Sequence, residues 1–488
     1  MNLMQPLARH HSVFFLILRR LRAPLILLII AMAISVLGLT LVPWPTENGE
    51  VQYLSFFHAV YFMSYTATTI GFGETPYAFS DQQRLWVVFS IYMSVFCWAY
   101  TLGTVFALLS DRNLRQAIAT QRFVREVRRL REPFYLVCGY GETGRLICHA
   151  LDRMGLRSVV LEIDEAKVGE IDLHSFAADV PALCADASNP ELLGYAGLTH
   201  PNCAGVIALT NNDATNLAIA IAARLLAPKL PALCRAEHRE TSANMASFGT
   251  RHIINPFERF GETLALALHA PIASQLLDWL TGIPGTAVDR DRRPPRGHWI
   301  VCGHGRFGRW MVDAMDAESL PVTIIDRGLQ TDGTHRWVHG DGTGAEALLE
   351  AGVQKATGIV AGTNSDTDNL SIAVTARELN PELFVILRQN HHANHALFEA
   401  FESDITVLPS EIVAYECLAI LSTPLLVPFL DEIRRRDEEW CSVQLERLTT
   451  RLGWNVPEIW SERVNLSQAT ALYRRLMRGE TITLGMVL

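Results

Sequence analysis

Two stretches of this chain repeat one local program. Phe134-Tyr-Leu-Val-Cys-Gly-Tyr-Gly-Glu-Thr-Gly144 and Trp299-Ile-Val-Cys-Gly-His-Gly-Arg-Phe-Gly308 each run an apolar strand into G-x-G-x-x-G and on into a helical pattern. The physics of that turn is restrictive. Gly139 and Gly303 make the tight turn, Gly141 and Gly305 let a phosphate approach backbone N–H groups, and Gly144 and Gly308 let helix and strand pack closely. A second strand follows each helix and carries an acid. Glu162 and Asp326 each lie 18 positions beyond the last glycine of their turn, close to the ~20 expected of a carboxylate that holds a ribose hydroxyl.

The echo continues in order. Cys184-Ala-Asp186 with Ala196-Gly197 matches His339-Gly-Asp341 with Ala351-Gly352, and Leu209-Thr-Asn-Asn-Asp213-Ala-Thr-Asn216 matches Ala361-Gly-Thr-Asn-Ser-Asp366-Thr-Asp-Asn369. Leu233-Cys-Arg235 matches Ile386-Leu-Arg388, and Asn255-Pro256 matches Leu408-Pro409. Ordered matches across two halves identify a duplicated unit. At 488 residues the chain is too long for one core, and 49% hydrophobic residues with mean hydropathy +0.16 fit a small membrane part joined to a large soluble part. A net charge of −9 lacks the basic domain of a nucleic-acid binder. The nine cysteines include no C-x-x-C pair and read as buried reduced thiols rather than a metal or disulfide framework.

Ala23 to Pro43 carries no charge over about 21 residues, enough at ~1.5 Å per residue to cross a ~30 Å hydrocarbon core. Arg19, Arg20 and Arg22 precede it, and a second run, Leu85 to Ser110, is followed by Arg112 and Arg115. Basic residues favour the cytoplasmic side, so both outer ends are expected inside and the joining loop outside. The first run is too long for a signal peptide, and a second span follows it. Trp44, Trp86 and Trp98 suit interfacial anchoring or packing equally. Gly103, the only glycine of the second run, suits a gating bend or a close helix contact.

Between the runs, Leu54 to Thr68 is apolar and aromatic at helical spacing but too short to span, and Thr69-Ile-Gly-Phe-Gly73 follows it. Non-helical backbone survives at membrane depth only when buried in protein or facing a watery cavity. Glycines alternating with larger residues let successive carbonyls point into one axis, where rings of them replace the water shell of a bare cation. Thr66-Ala-Thr-Thr-Ile-Gly-Phe-Gly-Glu74 resembles the potassium-channel signature T-x-T-T-V-G-Y-G-D, with Ile70, Phe72 and Glu74 as departures. The resemblance implies a selectivity filter over Thr69, Ile70, Gly71, Phe72 and Gly73, with K⁺ held at Thr69 to Phe72. Two spans cannot enclose a pore, so a tetramer is implied as well, and no arginine-rich extra span marks a voltage sensor. Phe72 lacks the usual tyrosine hydroxyl, and Tyr65 stands where many relatives carry a glutamate; both bear on filter rigidity.

From about Pro133 to Ile420 the order of motifs resembles the RCK (KTN) regulatory domain of potassium channels and transporters. The expected fold is a two-span α-helical pore module followed by α/β structure, two tandem Rossmann-like RCK domains with small α/β C-terminal lobes. Expected boundaries are 1–22 for a cytoplasmic N-terminus and 23–110 for the pore module, with spans 23–43 and 85–110 and the pore helix and filter at 54–74. An arginine-rich linker takes 111–132, and RCK domains take 133–297, ending in the charged stretch 289–297, and 298–488.

By this resemblance Glu162 and Asp326 hold riboses, Asp186 and Asp341 lie near adenine, and Arg235 or Arg388 reaches the phosphate of NAD(H) or an adenine nucleotide. Calcium-gated relatives gather carboxylates where Asp213 and Glu237 stand, but Arg235 replaces a further carboxylate and argues against Ca²⁺. His391, His392 and His395 have metal-like spacing without further ligands and read as polar surface. The implied function is a ligand-gated K⁺ channel, a homotetramer in the lipid bilayer of the cell's inner (plasma) membrane with its RCK domains in the cytoplasm. Two other readings compete. A membrane-anchored NAD-dependent oxidoreductase needs a substrate domain with a catalytic His, Lys or Tyr, where this chain has a second fingerprint. A regulatory subunit of a separate K⁺ transporter needs no filter.

Overall fold

The computed structural model describes residues 10–45, 51–75, 78–281, 285, 288, 293–328, 333–422, 426–457 and 470–479. Residues 289–292 of the charged stretch 289–297, and the side chain of Trp44, lie outside that description. The chain divides into two compact units, 1–125 and 126–488.

In the first unit the helices His10–Leu41 and Asp81–Leu109 pack along each other, and the short helix Phe56–Ala67 packs on the first. Leu18–Leu41 and Asp81–Leu109 have mean hydropathy 2.6 and 1.7 and are long enough to cross a membrane. The first helix begins well before the uncharged run, because arginines such as Arg19, Arg20 and Arg22 are good helix formers. Charge there marks an edge of polarity, not the end of the helix. Ser80 and Gln83 close a capping box that starts the second long helix. Trp86 has a packing role: a Cβ on Gly38 would lie 2.0 Å from its ring, and its Nε1 donates to Ser35 O at 3.1 Å. A Cβ on Gly103 would meet nothing within 4 Å among the described residues, so that glycine makes no close contact within the chain. At the basic ends Arg20 pairs with Asp111, and this bond, with the N–H of Leu114, holds the Asp111 carboxyl below its usual range.

The second unit holds two sheets of six parallel strands. One runs Ala182–Cys184, Arg157–Glu162, Phe134–Cys138, Cys203–Ala208, Ala232–Arg235, His252–Ile254 across its width. The other runs Arg336–His339, Val322–Asp326, Trp299–Cys302, Gly358–Ala361, Phe384–Arg388, Ile405–Val407. Their inner strands are covered on both faces: Val159, Val160 and Leu161 are 0% exposed, as are Ile300, Val301 and Cys302. That is why these segments read as continuous apolar runs instead of alternating ones. In each sheet the glycine-rich turn leaves the strand at which the order reverses, where open parallel sheets form their ligand crevice.

The two repeats exchange helices. Asn255 caps Pro256–His269 by accepting from Phe257 N and Glu258 N. That helix packs on Arg306–Ala317 of the second repeat, where Phe257, Leu264 and Leu268 join Phe307, Met311 and Met315 in one core. The matching helix Pro409–Ser422 returns to Glu142–Arg153 of the first repeat, setting Val413, Ala414 and Cys417 against Ile147, Cys148 and Leu151. Each repeat thus completes one face of its sheet with a helix of the other, while the opposite face of the second sheet is closed by its own residues, such as Ile300, Leu348, Ile372 and Phe398. Pro271–Thr281, Leu426–Ile433 and Glu438–Leu452 then share a further core around Leu276, Trp279 and Leu445. This small lobe is helical among the described residues, apart from backbone pairing of Gly285 N with Val456 O and Val288 N with Trp454 O. All nine cysteines are free, and burial pushes the Cys148 and Cys234 thiols up to about 12, so they stay protonated.

Arg259 ties the exchanged helices by donating Nε to both carboxylate oxygens of Glu416 at 3.0 Å, although burial still raises the Glu416 pKa. Arg259→Met strands that carboxylate and is expected to cost roughly 1–3 kcal/mol. The stranded acid then binds its proton more tightly folded than unfolded, so stability should fall as pH rises through the carboxylate range. Melting temperatures measured between pH 5 and 8 check this; a loss that shrinks with rising pH contradicts it.

Candidate functional site

In the first unit, the helix Phe56–Ala67 is capped by Ser55, whose hydroxyl accepts from His58 N at 3.4 Å. Beyond the helix the backbone is left-handed at alternate residues, with φ +62° at Thr69, +63° at Gly71 and +73° at Gly73. The glycines adopt this freely, while Thr69 holds it under strain of roughly 1–2 kcal/mol. Ile70 N and Gly71 N both donate to Tyr65 O, at 3.0 and 3.2 Å, which seats the start of the loop on the helix. Tyr65 also holds the far end. It is 5% exposed, its hydroxyl donates to Glu74 O at 2.7 Å, and its ring meets Phe72 edge-on at 5.9 Å. Tyr61 donates to Glu74 Oε2 at 2.9 Å. Hydroxyls on the helix thus stand in for the one Phe72 lacks. Sequence reasoning named Tyr65 and Glu74 only as departures from the family pattern and missed Tyr61 and the bonds that join these residues; the signal was two tyrosines one helical turn apart with an acid beyond the loop. Tyr65→Phe keeps the ring and removes the tether, so K⁺ current through reconstituted protein should decay faster. Planar-bilayer recording checks it, and an unchanged decay would mean that the hydroxyl bears no load.

In the second unit the two glycine-rich turns share a backbone and differ in what fills them. Gly141 and Gly305 begin their helices with no side-chain cap, and a Cβ on either would meet nothing within 4 Å. The free N–H groups of those first turns suit an anion. Glu162 is 6% exposed and accepts from Tyr140 N at 2.5 Å, Ile163 N at 2.8 Å and Asp164 N at 3.0 Å. Asp326 accepts from His304 N at 2.6 Å and Gly328 N at 2.7 Å. Both acids therefore brace their own turns. Asp186 is exposed and accepts from Ser188 N at 2.8 Å. Asp341 accepts from Thr343 Oγ1 at 2.7 Å and Arg327 Nη2 at 2.9 Å, and these bonds hold its carboxyl at about 2.

A cavity of about 550 Å³ opens beside the first turn, on the seam between the repeats. Tyr140, Gly141, Glu142, Thr143, Asn211 and Arg235 line it from the first repeat, and Arg388, Asn390, His391, His392 and Ser410 from the second. Of the residues singled out for a nucleotide, it gathers Gly141, Arg235 and Arg388. Gly139, Gly144, Glu162, Asp186, Gly303, Gly305, Gly308, Asp326 and Asp341 are not on its wall. Arg145 and Lys167 add to the basic lining, against Glu142 and Glu170. The Glu142 carboxylate already accepts from His392 N at 2.8 Å. Thr143 and Ser410 were missed; setting the two repeats side by side would have flagged them, since Phe307 and Phe257 take their places.

Asp213 and Glu237 face different partners. Asp213 accepts from Glu237 N at 3.0 Å and His238 N at 2.9 Å and pairs with His238 Nδ1 at 2.7 Å. Glu237, 8% exposed, is ion-paired with Arg235 and Arg306. A carboxylate between two guanidiniums offers little to a divalent cation. Among the described residues no group of three or more His, Cys, Asp or Glu is disposed to hold a metal. His391 and His392 lie on the cavity wall, and the His392 ring stacks on His395 at 5.1 Å.

Residues 135–256 and 299–409 match the family model described as TrkA-N domain, and residues 24–111 match that described as ion channel. Potassium channel protein 1 of Methanocaldococcus jannaschii is 23% identical over 278 residues, which cover 56% of this chain and 79% of that protein. Among solved structures, the chain is similar to GsuK bound to ADP, with 18% identity and TM-score 0.46 over 84% of this chain and 99% of that one. It is also similar to the GsuK channel bound to NAD, with 16% identity and TM-score 0.48 over 84% of each chain. The chain belongs to the potassium channels that join an ion-channel domain with two apolar membrane helices to tandem TrkA-N (RCK) domains.

Proposed function

We propose that four copies of this chain form one K⁺ pore in the cell's inner (plasma) membrane, controlled by a nucleotide, NAD(H) or an adenine nucleotide, bound to the α/β unit in the cytoplasm. The observation that carries this reading is the left-handed alternation at Thr69, Gly71 and Gly73, tied at both ends to Tyr65. Four such loops around one axis supply rings of carbonyls, Thr69 to Phe72, to an ion that has shed its water. Two helices per chain leave that axis to be shared among copies.

The nucleotide reading rests on the open turn at Gly141 beside the basic side chains Arg145, Lys167, Arg235 and Arg388. The bound nucleotide supplies charge and shape to the α/β unit, and no bond is made or broken. The chain's own groups hold its phosphates at the open helix terminus and carry the difference between bound and free to the pore. A ligand shifts that equilibrium only by its differential affinity for the two states. Moving from ~1% to ~99% open takes about 5.5 kcal/mol, so one site in each of four chains needs about a tenfold preference.

Full-length protein in liposomes under K⁺ or Na⁺ gradients tests both parts. K⁺ flux well above Na⁺ flux, altered by NAD⁺, NADH, ADP or ATP, is expected. Equal permeability to the two ions would sink the pore reading, and K⁺ flux indifferent to every nucleotide would sink the gating reading.

A further inference from the structure

Among the described residues, three that line the cavity each carry a buried polar atom with no hydrogen-bond partner: Thr143 Oγ1, Arg235 Nε and Arg388 Nε. Thr143 is 3% exposed and Arg388 6%. Both guanidinium forks are held in place, Arg235 Nη1 by Asn211 Oδ1 at 3.1 Å and Arg388 Nη1 by Asn364 Oδ1 at 3.0 Å. Their Nε edges are left over. Charge leans positive in the same place: Arg235, Arg306 and Arg388 face Glu237, and Asp366 is the one further carboxylate that acts on Arg388. Unpaired positive charge away from water is costly, and burial pushes the Arg388 pKa down to about 10.

The corresponding place in the second repeat is closed. Phe307 stands where the first repeat has Thr143, and Phe257 stands where the second has Ser410. The Arg388 guanidinium lies 4.8 Å from the Phe257 ring and 5.6 Å from the Phe307 ring. Arg306, at the position of Glu142, is paired with Glu237. Arg239, at the position of His392, lies 3.8 Å over Trp310 and is paired with Asp313. Rings and ion pairs fill that half of the seam, and the open cavity, with its hydroxyls and guanidinium groups, meets it at Phe257 and Arg388.

We propose that the seam cavity is a single polyphosphate seat shared by the two repeats, in which the terminal phosphoryl group of a nucleoside di- or triphosphate lies between Arg235 of the first repeat and Arg388 of the second, with Thr143 Oγ1 donating to it. This rests on the nucleotide reading above and sharpens it: one ligand per chain, held by both repeats at once. Its phosphates occupy the turn at Gly141, and their charge offsets the guanidinium excess. An added β-phosphate gains charge-assisted hydrogen bonds that an α-phosphate at the same turn does not reach.

Calorimetric titration of the full-length protein in detergent with adenosine, AMP, ADP and ATP tests the seat. One nucleotide per chain is expected, with ADP binding about ten- to a hundredfold tighter than AMP. Arg388→Gln should collapse that step so that ADP binds like AMP, and Arg388→Lys should restore part of it. Thr143→Val, matched in volume, should shrink the step by a few-fold and serves if the buried arginine variants fail to fold. A step from AMP to ADP that survives these substitutions, or two nucleotides per chain, overturns the shared seat and leaves the nucleotide reading standing. No binding of any nucleotide by the wild-type protein removes both.

Discussion

Gly144→Ala is expected to melt the α/β unit at temperatures where the unsubstituted protein stays folded. The added Cβ would lie 2.0 Å from Gly139 O and 3.0 Å from Gly139 C. Neither is the end of a side chain that can swing aside. The obstacle is backbone, pinned by the Gly139 N–H donating to Leu161 O at 2.8 Å. Relief requires the helix Glu142–Arg153 to move off its sheet and away from Val413, Ala414 and Cys417 of the exchanged helix. Overpacking costs ~1–3 kcal/mol when side chains can adjust; a clash with fixed backbone belongs higher, at roughly 3–5 kcal/mol. That corresponds to a fall of about 6–20 °C in melting temperature. Gly308→Ala meets Gly303 O at 1.9 Å and should do the same to the second repeat. Gly141→Ala is the control, because its Cβ meets nothing within 4 Å. Its melting should match the wild type while nucleotide affinity falls. Thermal denaturation of the full-length variants decides the matter, and wild-type melting of Gly144→Ala would show that the turn yields where the contact distances say it cannot.

Gly71→Ala should abolish K⁺ flux and leave the melting of the α/β unit unchanged. At φ +63° the new methyl group meets no atom within 4 Å, so the effect is conformational and not a clash. Holding alanine left-handed costs roughly 1–2 kcal/mol, and relaxing it turns the adjoining carbonyls away from the side on which the alternation places them. In the proposed four-copy pore the strain would recur in every copy, and one misdirected ring of carbonyls would interrupt the row of ion sites. Liposome flux and calorimetric melting of the same preparation separate the two outcomes. Flux at the wild-type level would mean that Thr69 to Gly73 is not the conducting path.

Much of the fold was legible because it is written locally. Uncharged length marks the membrane helices, and a strand running into G-x-G-x-x-G marks the first turn of each sheet. Ordered repetition marks the pair. The loop at Thr69 to Gly73 was legible for the same reason: left-handed backbone needs glycine, and glycine is visible. The candidate ligand site was legible only in part. Spacing placed Glu162 and Asp326 at the right strands, but it carried no information on whether their oxygens face a ligand or the N–H groups of their own turns. Arg235 and Arg388 were each set near a phosphate, with no indication that they share one cavity.

The sequence alone determined the two membrane-length helices, the loop between them and the two glycine-rich turns, since each depends on neighbouring residues whose backbone preferences act over a few positions. The tertiary structure decided what converges. Arg235 and Arg388 meet because the helices Pro256–His269 and Pro409–Ser422 cross between repeats, and no local pattern encodes that crossing. It also decided that the two turns are unequal, with Thr143 beside an open cavity and Phe307 in a packed core. A side chain's role there depends on which distant surface is folded against it.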